Sequence, residues 1–137
     1  MKYLIALLLV ACGKSPTHHT DVELLQYTEG FYEVFPNAHK NFAIQWTTTN
    51  EGIFEKPLIV GACDLGNGQP LIRLHKTRLV GSSTKRLETI VWHELGHCVL
   101  NLNHYDNKLD IMNTTLSSKL INDHYYFLEL LYDRIMK

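Results

Sequence analysis

The reading of this chain turns on Leu87-Glu88-Thr89-Ile90-Val91-Trp92-His93-Glu94-Leu95-Gly96-His97-Cys98-Val99-Leu100-Asn101-Leu102. Leu87, Ile90, Val91, Leu95, Cys98, Val99 and Leu102 recur at helical spacing and form one broad apolar face. Gly81-Ser82-Ser83-Thr84 supplies a start signal, so a helix is expected from there to about Leu102. His93 and His97 lie along the edge of the apolar face. Residues four apart on a helix sit one above the other, so both imidazoles can reach one ion. Glu94, turned by about 100° from His93, can hold a water at that ion and move its proton. As plain core, the same three side chains would leave buried polar groups unpaired at about 1–3 kcal/mol each. The spacing therefore makes His93 and His97 candidate metal ligands and Glu94 a candidate general base.

Upstream of this helix the pattern is mostly that of strands. Phe42 to Thr48 alternates and is rich in β-formers, a half-buried strand. Leu58-Ile59-Val60-Gly61-Ala62-Cys63 is a continuous apolar run, expected as a strand covered on both faces. A glycine-rich turn over 65–70 leads to Leu71-Ile72-Arg73-Leu74-His75-Lys76, its expected hairpin partner, in which His75 reads as a solvated strand residue. Before these strands, Thr20-Asp21-Val22-Glu23 has the form of a capping box, so a first helix is expected over 21–34, ended by Pro36 and Asn37. A last helix is expected over 117–136. Strands then helices in one short chain give the α+β class.

Beyond Leu102 the chain continues Asn103-His104-Tyr105-Asp106, and then Asp110-Ile111-Met112-Asn113. Together with His93-Glu94-Leu95-Gly96-His97 this resembles the metzincin metallopeptidases, whose pattern HExxHxxGxxH precedes a methionine turn. The resemblance covers about 20 residues closely. It implies a small zincin-like domain over 21–137: a short mixed sheet, an active-site helix, a Met-turn and a C-terminal helix. It further implies Zn2+ held by His93, His97 and His104, Glu94 as general base, Met112 beneath the metal, and a polypeptide substrate lying along a strand, here expected to be Leu71 to Lys76. Two positions depart from the pattern. Six residues separate His97 from His104 where the family has five, and Leu100 stands at the family's glycine, followed by Asn101. Asparagine tolerates left-handed backbone, so Asn101 can end the helix one residue later and absorb the insertion.

Other readings place the third ligand elsewhere. Asp106 is near in sequence, Glu129 would serve in a gluzincin arrangement, and Gly61-Ala62-Cys63 loosely resembles peptide deformylases, in which a cysteine completes the site. A four-ligand site would instead suit a non-catalytic zinc-binding lipoprotein or interaction module, since closed structural sites take four protein ligands.

The N-terminus reads as a targeting segment. Lys2 precedes the apolar run Tyr3 to Val10, which is too short to span a bilayer. Leu9-Val10-Ala11-Cys12 resembles a bacterial lipoprotein signal. That likeness implies removal of residues 1–11, lipid on Cys12, a tether over 12–20, and an exported protein anchored to a bacterial membrane, facing periplasm or exterior. Cys63 and Cys98 are then the two cysteines left in an oxidising compartment, and a disulfide between them is expected. The 137-residue length fits one domain, and a net charge of −1 offers no basis for a nucleic-acid partner.

Overall fold

The computed structural model describes residues 18–66 and 68–137; the expected signal segment, Cys12 and most of the expected tether lie outside them. The decisive helix forms as α3, Thr84–Cys98. Its first turn is capped by Ser83, whose hydroxyl accepts the Arg86 N–H at 3.2 Å. Leu87, Ile90, Val91, Leu95 and Cys98 are buried as the apolar face requires, but so are Thr89 and Trp92 on the opposite side. The helix is enclosed because the sheet covers one flank and the N-terminal segment packs on another. The Trp92 indole donates to the Tyr27 carbonyl at 2.9 Å and lies at ring distances of 4.7 and 4.9 Å from His124 and Tyr125.

Three strands form one mixed sheet in the order β1-β3-β2. β1 is Ala43–Thr47, β2 Gly61–Asp64 and β3 Leu71–His75. β1 runs parallel to β3, with Ile44 opposite Ile72, and β2 runs antiparallel to it, with Cys63 opposite Ile72. Ile72 and Leu74 fall on one face and are fully buried. Cys63 and Cys98 are bonded, with Cα atoms 5.6 Å apart, so the expected disulfide ties α3 to β2.

The first helix differs from expectation. It begins as a 3-10 helix, Val22–Thr28, and becomes the α-helix α1 only over Glu29–Val34. The capping groups are spent on the sheet instead. The Asp21 carboxylate accepts the Trp46 N–H at 2.7 Å, the Asp21 N–H donates to Ile44 O at 2.9 Å, and the Thr20 hydroxyl accepts the Ile44 N–H at 3.4 Å. Residues 20 and 21 thereby cover the outer edge of β1. Ahead of them, the His19 carbonyl accepts from the Gln45 amide at 2.5 Å.

β2 is shorter than the apolar run suggested. Leu58 is 92% exposed, because Leu58 to Val60 precede the strand in a segment that crosses to the sheet edge. That segment is braced by Arg78, whose guanidinium donates to Asn50 Oδ1 at 3.0 Å and to the carbonyls of Phe54, Lys56 and Ile59 at 2.8, 3.1 and 2.7 Å. His75 is likewise buried rather than solvated. Its Nδ1 accepts the Arg78 N–H at 3.4 Å, capping the short helix α2, Lys76–Leu79, and its Nε2 lies 3.1 Å from Asn50 Oδ1.

The C-terminal helix is broken at Asp123 into α4, Ser118–Asn122, and α5, His124–Met136. Phe127, Leu128 and Leu131 of α5 join the core. No described helix is long and apolar enough to cross a membrane.

Removing the disulfide by Cys63→Ala with Cys98→Ala lengthens the unfolded chain's accessible paths, since the bond spans 35 residues. The loss expected from loop-closure entropy is about 3–4 kcal/mol. Urea unfolding of parent and double variant measures it; equal midpoints would show that the bond adds nothing to the fold.

Candidate metal centre

His93 and His97 project from adjacent turns of α3, and the chain must turn sharply to bring anything else to them. Asn101 makes that turn with φ of 54°, the left-handed backbone that asparagine tolerates. The helix closes through the Val99 N–H to Leu95 O at 2.8 Å, and the Leu102 N–H returns to Gly96 O at 2.9 Å. With the chain reversed, His104 arrives beside the two helix histidines. Six residues separate His97 from His104, and this turn lies among them.

The three Nε2 atoms lie 3.1 Å (His93 to His97), 3.1 Å (His97 to His104) and 3.3 Å (His93 to His104) apart. Two of the rings are fixed by backbone carbonyls: His93 Nδ1 lies 2.7 Å from Ile111 O, and His97 Nδ1 lies 2.7 Å from Leu102 O. A carbonyl only accepts, so each Nδ1 carries its ring's hydrogen and each Nε2 presents a bare lone pair. Two such lone pairs cannot hydrogen-bond each other. Their convergence with a third imidazole has a physical rationale when a cation lies between them, with the carbonyls acting as the outer acceptors that metal-bound histidines need. His93, His97 and His104 thus form a group that could hold a metal ion.

Burial and charge agree with this. His93 is buried, and burial, reinforced by its neighbours His97 and His104, pushes its imidazole down to about 4, so the ring is neutral and able to ligate. His97 is also lowered, by burial first and then by His104. His104 is exposed, so the group runs from a closed floor to an open mouth.

Glu94 is 6% exposed, and burial lifts its carboxyl to about 8. It lies against β2 at Gly61, where a Cβ would come within 2.8 Å of its Oε1. Only glycine lets the strand backbone approach the carboxylate this closely. Gly96 has a similar part: a side chain there would overlap the Met112 sulfur. Met112 is fully buried, with its sulfur against Gly96 in the turn between His93 and His97. Neither glycine was singled out from the sequence, although Gly96 within HExxH was the available signal.

Asp106 and Glu129 are exposed and stand outside the histidine group, and the sulfur of Cys63 is committed to Cys98. A cleft of about 720 Å3 is lined by His93, Glu94, His97 and His104 together, and by the apolar side chains of Ile53, Leu58, Leu116 and Ile121. No family model matches the chain, and no curated protein or solved structure matches it significantly.

Replacing His104 by alanine removes one of three ligands, so metal affinity of the full chain should fall by several orders of magnitude, well beyond the 10–100-fold typical of outer groups. Asp106→Ala and Glu129→Ala should bind as the parent does. Competition against a chelating indicator decides it; parent-like binding by His104→Ala would remove His104 from the centre.

Proposed function

We propose that this chain is a zinc-dependent endopeptidase of metzincin-like type, with His93, His97 and His104 as zinc ligands and Glu94 as general base. The carrying observation is the convergence of three imidazole nitrogens, two of them with fixed bare lone pairs, beside a buried carboxylate in an open cleft. Tetrahedral zinc with bonds of about 2.0–2.1 Å needs ligand nitrogens about 3.3 Å apart, close to the 3.1–3.3 Å found. Three neutral imidazole nitrogens suit zinc rather than magnesium or calcium, which prefer oxygen.

A bound zinc would supply Lewis-acid polarisation of the substrate carbonyl and acidify a water at its remaining position. Glu94, one residue from His93 and open to the same cleft, would in its ionised form accept a proton from the attacking water and return it to the leaving amine. The close approach of Glu94 to Gly61 sets its carboxyl group against β2.

The substrate path follows β2, not the Leu71 to Lys76 segment, which is central in the sheet and paired on both sides. The His75 N–H bonds Val60 O at 2.8 Å, so by alternation Ala62 and Asp64 face β3, while the peptide groups of Gly61 and Cys63 face the cleft. An extended polypeptide can add to this edge as a further strand.

Two features favour catalysis over a structural zinc site. Among the described residues no fourth His, Cys, Asp or Glu joins the histidine group, and the exposed side at His104 leaves a position open to the cleft. The disulfide argues against a deformylase-like centre, because Cys63 has no thiolate to give. It also suits an oxidising compartment, in keeping with export and a lipid on Cys12, which we include in the proposal.

Glu94→Gln should retain zinc and lose peptide hydrolysis by several orders of magnitude, because the amide keeps the shape and cannot carry the proton. Zinc content and cleavage of a peptide library, measured side by side, test both halves. Undiminished cleavage would refute the general-base role.

A further inference from the structure

Asp110 and Arg134 are 24 residues apart, on the methionine turn and the last helix, and they form a two-pronged ion pair. Arg134 Nε donates to Asp110 Oδ2 at 2.8 Å, and its Nη2 donates to Oδ1 at 3.2 Å. The Asp110 side chain is 9% exposed and that of Arg134 30%. The same carboxylate shapes the turn from within: Asp110 Oδ1 accepts the Met112 N–H at 2.8 Å, and Asp110 O accepts the Asn113 N–H at 3.0 Å.

That turn meets the histidines at two points. Ile111 O is the acceptor for His93 Nδ1 at 2.7 Å. Met112 O accepts the N–H of Tyr105 at 2.9 Å, and the Asn113 amide donates to Tyr105 O at 3.2 Å, so the residue next to His104 is held by the turn on both of its peptide groups. Arg134 reaches this strand of chain directly as well, its guanidinium lying 4.0 Å over the Tyr105 ring. One guanidinium therefore grips the turn that orients His93 and the ring beside His104, while touching neither histidine.

We infer that Arg134 is a positioning residue of the metal centre, acting through Asp110 and Tyr105 to set the His93 ring and the approach of His104. The inference rests on the three-histidine centre proposed above. Its stake is geometric: ligands held loosely bind an ion less tightly even when all three are present. Lysine cannot replace the planar fork, because a single ammonium meets one carboxylate oxygen and does not stack on the ring in the same way.

The test is metal binding by the full chain, with zinc for affinity and cobalt(II) for the visible d–d spectrum. Arg134→Ala should bind zinc about 10–100-fold more weakly than the parent, with an altered cobalt spectrum, while far-ultraviolet circular dichroism of the metal-free protein is unchanged. Parent-like affinity and spectrum in folded Arg134→Ala would overturn the inference. Should that variant fail to fold, Arg134→Lys decides: intermediate affinity is expected, and parent-like affinity overturns it. His104→Ala in the same series separates the two claims. If it loses binding and the Arg134 variants do not, positioning alone fails; if it binds as the parent does, the centre itself fails and the inference with it.

Discussion

Two hydrogen bonds, from His93 Nδ1 to the Ile111 carbonyl and from His97 Nδ1 to the Leu102 carbonyl, govern the character of this molecule's centre. Each fixes a ring's tautomer and orientation, and each turns an Nε2 lone pair toward the same point. Neither acceptor belongs to the helix that carries the histidines. Leu102 follows the left-handed turn at Asn101, and Ile111 sits in the turn over 110–113, so the chain after the helix determines what the helix residues can do.

The rest of the fold can be understood as holding α3 and these two segments in register. The disulfide fastens the helix to β2, and the enclosed helix places Glu94 under the edge strand at the one residue, Gly61, that leaves it room. Met112 packs against the histidine turn because Gly96 has no side chain. Residues 20 and 21 cover the outer edge of β1, which leaves β2, lining the cleft at Gly61 and Cys63, as the sheet's other edge. The exposed Leu58 and Ile53 line that cleft from a segment fixed by Arg78.

What the sequence made legible was local or repeated at a fixed period. The α3 periodicity, the β1 alternation, the β2–β3 hairpin, the Asn101 turn and the disulfide partner all follow from neighbours within a few residues or from cysteine count. What it hid depends on distant partners. Thr20 and Asp21 had the form of a helix cap, but β1 offered them unpaired peptide groups from 24 and 25 residues away, and the 3-10 geometry followed. His75 looked solvated because its partner Asn50 lies in a loop. Leu58 looked buried because an apolar run does not reveal where a strand begins. Asp110 stands two residues before Met112, and nothing near it in the sequence points to Arg134.

The central claim is a centre of three imidazoles with one position left for water, and X-ray absorption at the zinc edge of the metal-loaded full chain tests it most directly. The account predicts about three imidazole nitrogens and one further light atom near 2.0–2.1 Å, with no sulfur in the coordination shell. A sulfur scatterer near 2.3 Å, or a shell filled by four protein ligands with no site for water, would contradict it.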